Sequence, residues 1–186
     1  YITILNETKL MISSYFINSI QKYSKNAPIN PKTRNPFLIL FITSSGPHIW
    51  YALNAYCSIK AFLPSNYFIF VALSLESYLE LKKYGVPAIL FSYKAPPVVK
   101  NTIVKIFIIY QLLLSGIDVF FSDVDLVFFD NPLKVLNNNS DIEIIYEYAF
   151  FKHEYKNIGS HCVNTGLFKL NSNQKKIILK IYFLIF

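Results

Sequence analysis

Cysteine, glycine and tryptophan are scarce in this chain, whose 186 residues contain two, five and one of them. Cys57 and Cys162 lie too far apart for a zinc knuckle or a C-x-x-C redox pair, which leaves buried thiols, the favoured reading, or one disulfide. The few glycines form no P-loop, no G-x-G-x-x-G turn and no G-x-S-x-G elbow. These absences argue against kinase, dehydrogenase and hydrolase sites.

A membrane-spanning run is also missing. The most apolar window, residues 103–121, is interrupted by Lys105, Gln111, Ser115, Gly116 and Asp118, whereas a span needs about 20 mostly apolar residues. The sequence therefore predicts a soluble chain, with any membrane anchor lying outside it.

Acidic residues are few, at 11 against 18 basic ones, which gives a net charge of +7. The basic residues are scattered and accompany no recognisable nucleic-acid-binding module, so we expect no nucleic-acid partner. An anionic small molecule such as a nucleoside diphosphate fits the charge equally well.

What the chain has is apolar residues, 53% of the total, enough for one domain with a sizeable core. Residues 1–35 read as an N-terminal helix followed by the proline-rich linker NAPINPKTRNP, and residues 36–186 as the folded domain. The chain begins without Met and stops inside the apolar run QKKIILKIYFLIF. We therefore expect a fragment, incomplete at its carboxyl end.

From residue 36 onwards, apolar strands alternate with helices. The runs FLILFITSS, YFIFVALS, VPAILF and IDVFFSD are typical of buried strands, and helical patterns separate them. Two later runs, DIEIIYEY and VNTGLFKL, indicate further strands. Strands apolar on both faces need helices on both sides, so the sequence predicts an α/β fold with a mainly parallel, Rossmann-like sheet.

Four of the eleven acidic residues, Asp118, Asp123, Asp125 and Asp130, cluster around the fourth strand. Ligands of open α/β sheets bind at the carboxyl ends of strands. Asp123 and Asp125 are two apart, so in an extended strand their carboxylates project to one side and suit Mg²⁺ or Mn²⁺. The alternative is an Asp-rich turn. We expect Asp130 to cap the helix starting at Pro132, and Asp118 to mark the start of the strand.

Several segments together resemble the nucleotide-diphospho-sugar transferase family, which includes plant and protist galactosyl-, xylosyl- and arabinosyltransferases with GT-A folds. These segments are ALNAYCSIKAF, NYFIFVALSLESYLELKKYGVPAIL, DVFFSDVDLVFFDNPL and CVNTGLFKLNSN. They occur in the family's order across residues 37–173. A haloacid-dehalogenase-type phosphatase also has Asp-x-Asp after a strand, but after the first strand rather than the fourth.

The resemblance implies roles for individual residues. Asp123 and Asp125 would hold the metal and diphosphate, Lys105 would face the sugar or phosphate, and a third group, Asn164, Thr165 and Gly166, would line the donor-sugar pocket. The competing interpretations are a snorkelling lysine for Lys105 and a turn before a strand for Asn-Thr-Gly.

Two further positions are candidates. Where the family commonly has Ala-Leu-Asp, this chain has Ala72, Leu73 and Ser74, so Ser74 could contact the donor only through one hydroxyl. His161 could contact a phosphate, although a lone histidine is more often structural or merely exposed.

The sequence thus predicts a Mn²⁺- or Mg²⁺-dependent glycosyltransferase acting on a nucleoside-diphosphate sugar and a glycan, protein or other hydroxyl acceptor. The alternative is a catalytically inactive sugar-nucleotide-binding or scaffold domain, suggested by Ser74 and by the early end of the chain. The resemblance alone implies residence in the Golgi lumen or at the Golgi membrane.

Overall fold

The computed structural model describes residues 14–92, 101–136, 140–147 and 162–174. Strands and helices alternate through the first part, and the strands within these ranges are six. The strands are β1 Phe37–Thr43, β2 Phe68–Ala72, β3 Ala88–Leu90, β4 Asp118–Ser122, β5 Ile142–Glu147 and β6 Cys162–Leu170. The α-helices are α1 Ser14–Ser24, α2 His48–Ile59, α3 Leu75–Lys83 and α4 Asn101–Leu114. Single 3₁₀ turns cover Ser65–Tyr67, Pro132–Val135 and Ser172–Gln174.

All six strands form one sheet in the order β3-β2-β1-β4-β6-β5. Strands β1 to β4 pair in parallel, whereas β6 pairs antiparallel with both β4 and β5. The sheet is therefore mixed but mainly parallel, as the buried strands predict. Helices connect the parallel strands because a parallel pair needs a crossover connection.

Helices cover both faces of the sheet. On one face, α1 and α4 pack against side chains such as Leu38, Ile69 and Val119. On the other, α2 and α3 pack against Ile39, Phe70 and Phe120. Alternate residues of each strand point to opposite faces, so two apolar cores form from the same strands. The expected α/β architecture with helices on both faces is confirmed.

The segment ahead of β1 is tied to the sheet. Phe16 and Ile20 of α1 are buried in the core shared with α4. Farther along, the side chains of Asn30 and Thr33 both donate hydrogen bonds to Asp118 at the start of β4. The division of the chain between residues 35 and 36 stays a prediction, and residues 1–13 lie outside the described ranges.

Helix α2 exposes two residues of types that are often buried, and the expectation of a buried thiol at Cys57 is wrong. Trp50 is 62% exposed because it lies on the outer side of the first turn of α2. Cys57, expected to be a buried thiol, is an exposed free cysteine on the same helix. Helical spacing locates a helix, but here Ala52, Ala55 and Ile59 form its buried face. The side chain of Cys162 lies outside the described part.

Candidate functional site

The carboxyl ends of three parallel strands meet at one edge of the sheet. The pairing register places Thr43 of β1 beside Ala72 of β2, and Phe41 beside Ser122 of β4. The residues that follow, Ser44, Leu73 and Asp123, consequently emerge together. This is the edge at which open α/β sheets bind ligands.

A cavity of about 330 Å³ opens at this edge. That volume lies within the roughly 300–1,000 Å³ range of small-molecule sites. Its wall contains apolar residues from three strand ends, together with polar and aromatic side chains that include Ser44, His48, Tyr51, Lys105, Asp123 and Asp125. The cavity therefore combines a positive charge, two carboxylates and aromatic rings.

Lys105 and Asp123 form an ion pair in the wall of the cavity. The Lys105 ammonium lies 3.0 Å from Oδ1 of Asp123, and the lysine side chain is only 13% exposed while that of Asp123 is 42% exposed. Nζ also lies 4.2 Å from the centre of the Phe121 ring, a distance typical of a cation–π interaction. Helix α4 thus delivers a fixed positive charge beside the acidic pair.

The spacing of Asp123 and Asp125 suggested that both lie in an extended strand, but they do not. Strand β4 ends at Ser122, and a turn begins at Val124. Both aspartates nevertheless line the same cavity. Asp125 is exposed, and among the described residues no cation forms an ion pair with it. The turn brings the two carboxylates to one cavity by a route that strand geometry alone does not provide.

The Asn-Thr-Gly segment lies beside the acidic pair through the backbone of β6. The Asp123 N–H donates a 2.7 Å hydrogen bond to the carbonyl oxygen of Gly166. Asn164 and Thr165 precede Gly166 in β6, which runs antiparallel to β4. The described structure therefore brings this segment next to Asp123, while the side chains of Asn164 and Thr165, and all of His161, lie outside the described part.

Ser74 begins helix α3. Its Oγ accepts a hydrogen bond from the Ser77 N–H at 3.1 Å and lies 2.8 Å from Ser77 Oγ, which in turn donates to the Ser44 carbonyl oxygen. Serine is a preferred residue for this capping position. The hydroxyl thus serves the helix and the loop after β1, whereas its expected contact with a donor stays a prediction.

Asp130 does not cap the 3₁₀ turn at Pro132–Val135, contrary to expectation. Asn131 fills that position, with Oδ1 accepting from the Leu133 N–H at 2.9 Å. Asp130 instead pairs with Lys134 at 2.9 Å, and this lysine's hydrogen bond holds the pKa of the Asp130 carboxyl below its usual 3.8. Both residues are exposed, so Asp130 belongs to the solvated outer side of this loop.

His48 and Tyr51 were not singled out by the sequence. Their rings meet edge to face at 6.2 Å on the first turn of α2, and Tyr51 is 47% exposed. The signal that could have found them is Pro47, which starts a helix directly after β1 and so places its first turn at the ligand edge of the sheet.

The donor chemistry of the site suits a hard divalent cation. Asp123 and Asp125 offer carboxylate oxygens, the ligands that Mg²⁺ and Mn²⁺ prefer. The described residues contain no group of three or more His, Cys, Asp and Glu side chains placed to hold an ion. Mg²⁺ is usually held by one or two carboxylates, substrate phosphates and water, so two carboxylates suffice when a diphosphate is present.

Comparisons with known proteins agree with this geometry. A family model for nucleotide-diphospho-sugar transferases matches residues 64–179, which span β2 to β6 and include the acidic pair. A search of curated protein sequences gives no match. Within the described part of the chain, no helix is both long enough and apolar enough to cross a bilayer.

Among solved structures, the chain is similar to the apo form of the glycosyltransferase GlyE from Streptococcus pneumoniae TIGR4. The two share 15% sequence identity with a TM-score of 0.52, over 79% of this chain and 37% of GlyE. This likeness shows the fold. The chain spans little more than a third of the length of GlyE.

Proposed function

Because the chain belongs to the nucleotide-diphospho-sugar transferase family, we propose that its cavity binds a nucleoside-diphosphate sugar with Mn²⁺ or Mg²⁺. The protein then transfers the sugar to a hydroxyl group of a glycan or protein acceptor. The observation that carries the proposal is the joint placement of Asp123, Asp125 and Lys105 around one cavity at the carboxyl edge of the sheet. The Lys105 ammonium and a cation held by the two carboxylates would supply the positive charge that a diphosphate needs, and a parallel sheet binds ligands at this edge.

The aromatic residues of α2 give the cavity a surface that suits a nucleoside. Tyr51 and His48 line the cavity, and their rings can cover the apolar face of a nucleoside. Aromatic rings stack on bases of any sequence because every base has a π face. The proposed orientation therefore places the nucleoside towards α2 and the diphosphate towards Lys105 and the aspartates.

In the transfer, the bond between the anomeric carbon and the diphosphate oxygen breaks, and the acceptor oxygen bonds to that carbon and loses its proton. A bound divalent cation supplies charge stabilisation to the departing diphosphate. Lys105 stabilises the same developing charge through hydrogen bonds, since its ammonium is held beside the cavity by Phe121. Asp123 and Asp125 would hold that cation, and the carbonyl oxygen of Gly166 accepts a hydrogen bond that positions the backbone of Asp123.

A catalytically inactive sugar-nucleotide-binding domain is the second candidate. Ser74 favours it, because its hydroxyl is engaged with Ser77 at the start of α3 and the carboxylate expected from the family resemblance is missing. Binding of a nucleotide would remain in that case, while donor hydrolysis and transfer would not occur.

Calorimetric titration of the full-length protein with uridine diphosphate and guanosine diphosphate, each with Mn²⁺ or with a chelator, tests the proposal. We expect binding of at least one nucleotide to require Mn²⁺. Replacing both Asp123→Asn and Asp125→Asn should weaken it by at least about 100-fold, beyond the effect of losing outer-sphere partners. Asp130→Asn, on the exposed side of the same loop, is the matched control and should bind normally.

If nucleotide binding changes neither with the metal nor with the double substitution, the proposed metal site is overturned. Metal-dependent binding without hydrolysis or transfer, assayed with a panel of nucleoside-diphosphate sugars, supports the inactive domain instead. Golgi residence is part of the proposal through the family resemblance alone. Co-localisation of the tagged full-length protein with a Golgi marker tests it, and a diffuse cytosolic signal would refute it.

A further inference from the structure

Lys105 pairs with one of the two carboxylate oxygens that Asp123 can offer to a metal ion. Its Nζ lies 3.0 Å from Asp123 Oδ1, and the lysine side chain is 13% exposed. The ring of Phe121, itself buried, lies 4.2 Å beneath the ammonium. The ammonium thus contacts both a carboxylate and an aromatic ring, and little of the lysine side chain is exposed to solvent.

Without a diphosphate, a divalent cation would meet this ammonium as a neighbouring like charge. Of the two carboxylates, Asp123 is already neutralised by Lys105, while Asp125 pairs with no cation among the described residues. A single free carboxylate in an open cavity binds a hard cation weakly, because Mg²⁺ and related ions lose bound water reluctantly. Lys105 therefore disfavours metal binding to the empty site.

A diphosphate reverses this balance because it brings negative charge to both cations. Its oxygens can accept hydrogen bonds from Lys105 and coordinate the metal, so the ammonium and the metal no longer depend on the same carboxylate. Resting on the proposed function, we infer that Lys105 acts as an interlock: it keeps the divalent cation weakly bound until the diphosphate arrives, and then helps to bind that diphosphate.

The interlock predicts effects of opposite sign from one substitution. Lys105→Met removes the charge but keeps an unbranched apolar side chain over Phe121, where a thioether also packs well. The variant should bind Mn²⁺ more tightly when no nucleotide is present, and the Mn²⁺-loaded variant should bind the diphosphate more weakly. Coupling between two ligands is reciprocal, so the cooperativity between metal and diphosphate should fall by the same factor from either side.

The test uses the full-length protein, Mn²⁺ and uridine diphosphate or guanosine diphosphate, whichever binds. Electron paramagnetic resonance measures free Mn²⁺ with and without nucleotide, and a protein-free titration corrects for Mn²⁺ bound by the nucleotide itself. We expect wild-type protein to show positive coupling and Lys105→Met to bind Mn²⁺ about tenfold more tightly without nucleotide. Lys105→Arg should behave like wild type. Lys134→Met, which removes an exposed charge from the loop after β4, is the matched control.

The outcomes separate the interlock from the proposed function. Mn²⁺ binding without positive coupling in the wild-type protein overturns the interlock alone, whatever the variants do. Unchanged or weaker Mn²⁺ binding by a folded Lys105→Met protein, checked by its melting curve, also overturns it alone. If no Mn²⁺ binds even with nucleotide, both the metal site and the interlock fail.

Discussion

Strand β4 carries one aspartate at its first residue, Asp118, and another, Asp123, directly after its last. Asp118 is completely buried and accepts hydrogen bonds from Asn30 Nδ2 at 2.6 Å, from the Ser172 N–H at 2.7 Å and from Thr33 Oγ1. Asp123 is 42% exposed and faces an open cavity beside Lys105. The aspartate at the amino edge of the sheet, Asp118, thus joins three segments of the chain. The aspartate at the carboxyl edge, Asp123, remains accessible.

This difference distinguishes an acidic residue that stabilises the fold from an acidic residue that can bind a ligand. A buried carboxylate whose two oxygens both accept hydrogen bonds from the protein stabilises the fold and is out of reach of a ligand. An accessible carboxylate next to a fixed cation and a cavity keeps coordination sites for one. Proximity in the sequence, only five positions, says nothing about which role each residue has.

The largest expected effect comes from exchanging these two aspartates for alanine. Asp118→Ala removes the acceptor of the buried Ser172 N–H and one of the two acceptors of Asn30 Nδ2, and it should lower the free energy of unfolding by about 3 kcal/mol or more. Asp123→Ala should cost less than about 1 kcal/mol, since its ion pair is partly exposed, yet abolish metal-dependent nucleotide binding. Urea denaturation and calorimetry measure the two properties. Equal losses of stability would abolish the distinction between the two edges.

The second effect concerns Tyr23, which lies at the same edge as Asp118. Its hydroxyl donates to the carbonyl oxygens of Phe68, at 2.8 Å, and of Ser65, and burial raises its pKa from 10.0 to about 12. A raised pKa means that the neutral form stabilises the fold below pH 10 and that this contribution is lost between about pH 10 and 12.

Tyr23→Phe should therefore cost about 1 to 2 kcal/mol near neutral pH and flatten the loss of stability in alkali. Denaturation at a series of pH values measures both changes. An unaltered alkaline profile in the variant would show that another group governs it. Tyr15→Phe, an exposed tyrosine of the same helix, is the matched control.

The third effect is at the carboxyl edge, where Ser74 caps α3. Ser74→Ala should lower the free energy of unfolding by about 1 kcal/mol, because the Ser77 N–H loses its acceptor. Ser74→Asp keeps a capping acceptor and should remain close to wild type in stability. If the aspartate variant also binds nucleotide more tightly in calorimetry, the expected donor contact at this position gains support. A loss of stability as large as that of Asp118→Ala would contradict the division of roles.

The smallest effect is expected at Asp130, outside both edges. The hydrogen bond from Lys134 lowers the pKa of its carboxyl below 3.8. A lowered pKa stabilises the fold above the usual value and loses that contribution as the pH falls through the folded value. An NMR titration of the carboxyl carbon should give a midpoint below 3.8, which Lys134→Met should raise towards the usual value while the hydrogen bond from the Asn131 N–H continues to lower it. If the midpoint is the same in the Lys134→Met variant, the Asp130–Lys134 pair does not cause the lowered pKa.

The sequence predicted most of the sheet because each buried strand is a short apolar run bounded by turn residues. Gly85 and Gly116, both with positive φ, lie just past the ends of α3 and α4. The pattern contains no information about the pairing of β6 between β4 and β5, because strands far apart in the chain choose their neighbours through tertiary packing.

The sequence predicted the grouping of Asp123, Asp125 and Lys105 in outline and missed its details, and the roles of these residues stay predictions. Asp123 and Asp125 reach one cavity through a turn, not through an extended strand, and turn geometry after a strand depends on neighbours such as Gly166. His48 and Tyr51 were missed because the aromatic-rich sequence offers many equivalent rings. The contacts of Asp118 need partners from two segments far from it in the sequence, residues 30–33 and Ser172, which no local pattern reveals.

Strand β6 and the residues just beyond it form hydrogen bonds at both ends of β4. Gly166 accepts one from the Asp123 N–H, and the Ser172 N–H donates one to the Asp118 carboxylate. During synthesis on the ribosome, β1 to β4 emerge well before residues 162–174. Until then β4 is an edge strand with unpaired backbone groups, a template for association with other chains. Ribosome-bound chains released before about residue 170 should therefore aggregate, and the candidate site is completed only after β6 has been synthesised.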